Sequence, residues 1–236
     1  MKKIFLFTWI LCAVSPLLHA QPDSISSYTR KTYMIPMRDG VKLNTVVLMP
    51  TQQISPCPIL LERTPYGADV PVPEDSTVSV NKMGGLKAYA KDGYIIVFQD
   101  MRGKFGSEGT FEMNRPLYHL ADKTKTDEST DAYDAIDWMV KHLPNNNGKV
   151  GIHGVSYPGY LALDAAVDPH PALKASSPQA SPTDMFLGDD FHHNGAFCLA
   201  DAFLFFADFG RARPQPVAKW RWDFDPDMGD LYDFFL

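Results

Sequence analysis

The chain has 236 residues, of which 45% are hydrophobic and 12% aromatic, a composition typical of a globular protein with one good core. It carries 22 basic and 28 acidic residues, which give a formal net charge of −6. This acidic balance argues against nucleic acid as a partner. The chain has only three cysteines, too few for a cystine scaffold, although Cys57 and Cys198 allow one disulfide.

The N-terminus has the pattern of a cleavable signal peptide. Lys2 and Lys3 precede an apolar stretch at residues 4–14, and Pro16 and the small residue Ala20 precede a polar segment. This order predicts a signal peptide over residues 1–20 and a secreted or periplasmic protein. A stable membrane anchor is the less favoured alternative, because this apolar stretch is too short to span roughly 30 Å of hydrocarbon.

Hydrophobic patterns predict an α/β architecture in the rest of the chain. Two alternating stretches at residues 31–37 and 41–49 flank Asp39-Gly40, a turn signal that predicts a β-hairpin. Apolar residues at helical spacing predict a helix over residues 131–142, capped by Thr130 or Ser129. Strands that alternate with helices are typical of a doubly wound sheet. The other predicted strands are residues 59–64, 94–99, 149–153 and 173–177, and the other predicted helices are residues 85–91 and 157–167.

The most informative motif is the sequence Gly-Val-Ser-Tyr-Pro-Gly at residues 154–159, between a predicted strand and a predicted helix. A serine on such a turn has a strained backbone, exposes its Oγ and directs the next backbone N–H toward a developing oxyanion. Pro158 departs from the common G-x-S-x-G pattern, but a first helical turn tolerates proline. The alternative is a structural turn serine. The flanking strand and helix favour Ser156 as a nucleophile.

Four further segments, together with residues 154–159, carry a resemblance to a known family. They are residues 62–67 (Glu-Arg-Thr-Pro-Tyr-Gly), 98–109, 127–132 and 188–195. In this order they resemble the α-amino acid ester hydrolases and their acyltransferase relatives. These enzymes belong to the S15 serine hydrolases, with the X-Pro dipeptidyl peptidases, cocaine esterases and glutaryl acylases. The similarity covers roughly residues 28–214.

The resemblance implies an α/β-hydrolase fold, with the N-terminal part of the doubly wound sheet in residues 21–181 and the start of a helical cap in residues 182–236. It implies an acyl-enzyme intermediate on Ser156. The oxyanion hole would combine the backbone N–H of Tyr157 with the hydroxyl of Tyr66. Asp190 would join a carboxylate cluster that binds the α-ammonium group of the substrate. We expect no cofactor and no metal, small amino acid esters, amides or short peptides as substrates, and a homo-oligomeric full-length protein.

Two groups of residues have alternative interpretations that stay open: residues 188–193, and the pair of Arg102 and Asp100. Paired acids and histidines at residues 188–193 could suggest a metal site, but neighbouring side chains on a helix point about 100° apart and do not converge on one ion. Asp190 could instead be a solvated acid at a helix end, within a helical insertion predicted over residues 182–210. For Arg102 and Asp100 we prefer a structural role, as an ion pair that fixes a loop.

The chain lacks a recognisable catalytic acid and base. In α/β-hydrolases the triad runs serine, acid, histidine along the chain, and the 80 residues after Ser156 contain no strand followed by a histidine. We therefore expect a truncated chain whose catalytic aspartate and histidine lie beyond residue 236. Two classes compete: a serine hydrolase that acts through acyl-Ser156 in its full-length form, or an inactive fragment or pseudo-enzyme. X-Pro dipeptidyl peptidase and glutaryl acylase activities are alternatives within the enzyme class.

Overall fold

A computed structural model describes residues 25–53, 55–68, 70–210, 216 and 229–235. The predicted signal peptide, residues 1–20, lies outside these residues. Within them, no helix has both the length and the apolar character needed to cross a bilayer. The two cysteines that were considered for a disulfide, Cys57 and Cys198, are both free.

A seven-stranded mixed sheet forms the centre of the fold. Its order is β4-β1-β2-β5-β3-β6-β7. Strand β2 pairs antiparallel with β1 and β5, whereas β5, β3, β6 and β7 run parallel to one another. The strands are β1 Ser27–Pro36, β2 Lys42–Pro50, β3 Cys57–Thr64, β4 Thr77–Ser79, β5 Ile95–Asp100, β6 Asn146–Val155 and β7 Leu173–Gln179. This is the predicted α/β class, with β4 as an additional edge strand.

The first three helices pack on the sheet, and apolar side chains fill the space between the layers. The helices are α1 Lys87–Lys91, α2 Glu128–His142, α3 Tyr157–Asp164, α4 Leu199–Phe209 and α5 Leu231–Phe235. Ile95 and Val97 of β5 belong to the main core cluster with Ile136 of α2. The intervening Ile96 belongs to a second cluster with Tyr28. Alternate residues of the strand therefore pack on opposite faces of the sheet.

The cap of α2 differs from the prediction. Asp127, and not Thr130 or Ser129, is the N-cap residue: its carboxylate accepts a hydrogen bond from the Thr130 backbone N–H at 3.0 Å. In return, the Thr130 hydroxyl accepts from the Asp127 backbone N–H at 2.8 Å. This is a capping box, in which the third helical residue reaches back to the cap. Thr130 is therefore the partner of the cap, one turn into the helix.

The prediction of a helix over residues 182–210 is wrong for its first half. Residues 192–197 form a two-stranded hairpin, β8 His192–His193 and β9 Ala196–Phe197. The connecting residues Asn194 and Gly195 both have positive φ, 50° and 84°. Asn-Gly favours this turn because both residues tolerate the left-handed region. Only α4 is helical in the second half, so Asp190 lies before a hairpin and not at a helix end.

Buried charged side chains hold the loops that follow β3 and β5 in place. Arg102 pairs with Asp131 of α2 at 2.6 Å and with Asp39 at 2.7 Å, so the expected ion pair with Asp100 is wrong. The Asp100 carboxylate instead accepts hydrogen bonds from the backbone N–H groups of Ala68 and Gly106. Carboxylates prefer such donors when they are removed from water. The loop that follows β3 is held in place by the hydrogen bond from Ala68, which lies in that loop.

Candidate active site

Ser156 sits on a strained turn between β6 and α3. Its backbone has φ 61° and ψ −124°, a region that non-glycine residues avoid at a cost of about 1–3 kcal/mol. Neighbouring elements hold it there. The Ser156 N–H donates to the Gln179 carbonyl at the end of β7, and the Ser156 carbonyl accepts from the Tyr160 N–H, both at 2.9 Å. Strain of this kind at a strand-to-helix turn is typical of an exposed nucleophile.

Two glycines allow the strand and the helix to approach at this turn. A Cβ atom on Gly154 would lie 2.3 Å from the carbonyl carbon of Pro158. A Cβ atom on Gly159 would lie 2.4 Å from the carbonyl oxygen of Gln179. Backbone atoms cannot move aside as flexible side chains do, so any larger residue at either position would displace α3. Pro158 lies in the first turn of α3, where the missing N–H costs nothing.

Tyr157 contributes its backbone and its side chain in different ways. It is the first residue of α3, so its N–H has no acceptor within the helix and lies at the positive end of the helix dipole. Its side chain is buried, and its hydroxyl accepts a hydrogen bond from the Asn114 backbone N–H at 2.9 Å. Burial raises the pKa of the Tyr157 hydroxyl. The side chain therefore supports the turn while the N–H remains available.

Tyr66 follows the adjacent strand and is half exposed. Strands β3 and β6 are parallel neighbours, so their carboxyl ends, with Tyr66 and Ser156, lie at the same edge of the sheet. The Tyr66 N–H donates to the Thr64 hydroxyl at 3.0 Å, and the Tyr66 ring packs on Phe209 with a centroid distance of 5.8 Å. Burial, and secondarily the charge of Asp190, raises the pKa of the Tyr66 hydroxyl. It stays a protonated donor at neutral pH.

One cleft brings together all four predicted site residues: Ser156, Tyr66, Tyr157 and Asp190. It encloses about 370 Å³, including the part that is open to solvent. Sequence reasoning did not assign the other residues of its wall to the site, because most of them come from segments that meet only in the folded chain. These are mainly Met113, Asn114, Met185, Asp189, Phe191 and Phe205. The apolar part of this wall suits an aliphatic or aromatic acyl group.

The described wall of the cleft is acidic. Asp190 is exposed, whereas Asp189 uses one carboxylate oxygen to accept from the Phe191 N–H at 3.1 Å. The other oxygen of Asp189 is buried and has no hydrogen-bond partner among the described residues. The residues that line the described part of the cleft include no lysine, arginine or histidine. Two carboxylates with no cationic side chain among the described lining residues favour a cationic group on the ligand.

Comparison with known proteins identifies the family of the chain. The model of the S15 family, the X-Pro dipeptidyl-peptidases, matches residues 39–221. This range includes the strained turn, the Tyr66 loop and the acidic wall. The chain belongs to the S15 family. The family assignment confirms the resemblance inferred from the motifs.

Three relatives show how much of an S15 protein this chain represents. It is 35% identical to the cocaine esterase of Rhodococcus sp. (strain MB1 Bresler) over 166 residues, which are 70% of this chain and 26% of the esterase. An aminopeptidase from a marine sediment Thaumarchaeota archaeon is 38% identical, with a TM-score of 0.72 over 96% of this chain and 37% of its own. An α-amino acid ester hydrolase is 37% identical, with a TM-score of 0.70 over 94% of this chain and 38% of its own. The chain thus has their α/β-hydrolase fold and spans between about a quarter and two fifths of their length.

The helix that follows Ser156 provides a pH-dependent test of stability. Asp164 of α3 is only 5% exposed, and one of its carboxylate oxygens lacks a partner among the described residues. Burial raises its pKa from 3.8 to about 7. The folded state therefore binds a proton that the unfolded state has released, and the free energy of unfolding should fall as the pH rises from about 4 to about 7.

We expect Asp164→Asn to reduce this decline in the full-length protein, measured by urea unfolding at several pH values between 4 and 8. Asp184→Asn is the matched control, because hydrogen bonds from the backbone N–H groups of Leu187 and Phe186 lower the pKa of the Asp184 carboxyl. A carboxyl with a lowered pKa loses its contribution to stability only as the pH falls through the acid range, so the slope above pH 5 should not change. An unchanged slope in Asp164→Asn would show that Asp164 is ionised in the folded protein.

Proposed function

We propose that the full-length protein is a serine hydrolase that cleaves or transfers the acyl group of α-amino acid esters or amides. The observation that carries the proposal is the strained Ser156 in one cleft with Tyr66, the Tyr157 N–H and Asp190. A nucleophile, two hydrogen-bond donors and a carboxylate are the groups that acyl transfer from a cationic substrate needs.

The reaction follows from these positions. The Ser156 Oγ attacks the substrate carbonyl and passes its proton to a general base, and the carbonyl oxygen becomes an oxyanion. The Tyr157 N–H and the Tyr66 hydroxyl donate hydrogen bonds to this oxyanion. Departure of the alcohol or amine leaves an acyl-Ser156 ester, which water or another amine then cleaves. The general base is proposed to be a histidine, oriented by an aspartate, from outside the described wall of the cleft.

The acidic wall supports a substrate with a free α-amino group. An α-ammonium ion placed near Asp190 and Asp189 would neutralise carboxylates that are costly to desolvate alone. By their names, the aminopeptidase and the α-amino acid ester hydrolase act on substrates of this kind. An X-Pro dipeptidyl-peptidase activity is the second candidate, favoured by the family match, and it also uses a free N-terminus. Residues 1–20 are proposed to export the protein.

Asp190→Asn tests the proposed substrate class. We expect this change to lower kcat/KM for phenylglycine methyl ester by about 30-fold, the equivalent of about 2 kcal/mol for a desolvated charge left unpaired. Phenylacetic acid methyl ester lacks the amine, so its kcat/KM should be almost unaffected. Because the comparison is internal to each protein, damage to folding or to Ser156 would lower both values and be recognised.

Asp201→Asn is the matched control for this change. Asp201 is an exposed acid of α4 that does not line the cleft, and its removal changes the net charge equally. It should leave both esters unaffected. An equal loss on both esters in Asp190→Asn, or no loss on either, would remove Asp190 from the binding site and favour a general esterase.

A further inference from the structure

Lys104 is a buried cation that the proposed reaction does not use. It lies in the loop after β5, within the motif at residues 98–109, and is 1% exposed. Its Nζ donates a hydrogen bond to the backbone carbonyl of Phe209, the last residue of α4. The same nitrogen lies 3.8 Å from the ring centroid of Phe111 and 4.0 Å from that of Phe209. Both distances are well within the range of cation–π attraction.

This contact joins two distant parts of the chain at the end of a helix. The carboxyl end of a helix has carbonyl groups without intrahelical donors and carries a partial negative charge. The Lys104 ammonium group satisfies one such carbonyl of α4 and complements the helix dipole. An apolar side chain of similar length could fill the same space, but it would remove this hydrogen bond to the Phe209 carbonyl. The ammonium group therefore fixes where α4 ends.

Phe209 connects this helix end to the candidate oxyanion hole. Its side chain is 2% exposed. Its ring packs against the ring of Tyr66 at a centroid distance of 5.8 Å and against that of Tyr157 at 5.5 Å. It also stacks on Phe205, which lines the cleft, at 4.5 Å. A shift of Phe209 would thus displace the ring of Tyr66, whose hydroxyl is the proposed donor. The proposed donor of Tyr157 is a backbone N–H at the start of α3, beside a turn that backbone hydrogen bonds hold.

We propose that Lys104 is a positioning residue for the oxyanion hole: it anchors the end of α4 so that the Phe209 ring holds the Tyr66 hydroxyl at the position of the developing oxyanion. Lys104 does not line the described cleft, so it acts through Phe209 and Tyr66 and not on the substrate. The inference rests on the proposed function of Ser156 and Tyr66. Displacement of a catalytic group by about 1 Å costs up to ~10²-fold in rate, so such an anchor has a measurable effect.

The test is a double-mutant cycle in the full-length protein. Lys104→Met is made in the wild-type background and in Tyr66→Phe, and kcat and KM are measured for phenylglycine methyl ester. We expect kcat to fall by about 10-fold in the wild-type background, with KM changed by less than about twofold. In the Tyr66→Phe background, where no hydroxyl remains to be positioned, the loss should shrink to about twofold. An equal loss in both backgrounds, or an effect on KM alone, would overturn the proposal.

Phe209→Leu provides an independent route if Lys104→Met folds poorly. It keeps the carbonyl that Lys104 binds but removes the ring beneath Tyr66, so the same loss of kcat and the same dependence on Tyr66 are expected. Tyr28→Phe is the matched structural control. The Tyr28 hydroxyl is also a buried donor to a carbonyl of a helix, that of Ala90 at 2.9 Å, but it belongs to the second core cluster. It should lower the melting temperature and leave kcat unchanged.

Failure of this inference differs from failure of the proposed function. If Ser156→Ala is inactive and the Lys104→Met effect does not depend on Tyr66, only the positioning role is overturned. If Ser156→Ala retains turnover, the proposed function itself fails, whatever the double-mutant cycle gives.

Discussion

Ser156→Ala in the full-length protein should lower kcat by about 10⁴-fold or more, because the members of a catalytic triad act as a unit and the nucleophile has no substitute. KM should change little, since the oxyanion donors and the acidic wall remain. The same change should abolish covalent labelling by a fluorophosphonate probe, which reacts with activated serines. Mass spectrometry of the labelled wild-type protein should place the adduct on the peptide that contains Ser156.

A second serine near the turn is the control for this experiment. The Ser176 hydroxyl of β7 donates to the Ala162 carbonyl of α3 at 2.8 Å, and Ser176 does not line the described cleft. Ser176→Ala should cost about 1 kcal/mol of stability and leave labelling and kcat nearly unchanged. An adduct on any other serine, or turnover that survives in Ser156→Ala, would contradict the assignment of the nucleophile.

Local chain chemistry made the sheet and the strained turn predictable. The Asp39-Gly40 signal predicted the first hairpin, and Gly40 has φ 85° in the turn that joins β1 and β2. All six predicted strands form, with ends that differ by a few residues. At residues 154–159 the glycine spacing, the preceding apolar strand and the following helix each pointed to the same turn. Patterns of this kind depend on residues that are close together in the chain, so a single sequence is enough to recognise them.

Contacts between distant segments were not predictable in this way. The ion pairs of Arg102 and the hydrogen bond from Lys104 to Phe209 depend on the folded arrangement. The cap of α2 is a local feature, because Asp127 and Thr130 are three residues apart, and it was assigned to the wrong residue. The hairpin at residues 192–197 is a different case, because its Asn194-Gly195 turn signal was present. The aromatic residues of α4 gave a helical pattern that was extended too far toward the N-terminus. The site residues that belong to sequence motifs were predictable, whereas most of the other residues that line the cleft were not.

Tyr66→Phe should lower kcat by about 10²-fold, with little change in KM, in the full-length protein. The change removes one oxygen atom and keeps the ring on Phe209, so the packing at 5.8 Å remains. A hydroxyl that donates to the oxyanion stabilises the transition state and contributes little to the bound ester, so its loss falls on kcat. Burial raises the pKa of Tyr66, so the wild-type hydroxyl is a protonated donor at neutral pH, and Tyr66→Phe should not alter the pH profile around neutrality.

Tyr160→Phe is the matched control for this prediction, measured with the same ester under the same conditions. The Tyr160 hydroxyl donates to the Arg115 carbonyl at 3.1 Å, and its ring packs on Tyr157 in the same aromatic cluster. Because Tyr160 does not line the described cleft, loss of its hydroxyl should lower stability and leave kcat within about twofold. A similar fall of kcat in both variants would indicate general damage to the cluster. A change confined to KM in Tyr66→Phe would make Tyr66 a substrate contact, and the second donor to the oxyanion would then have to be another group of the full-length protein.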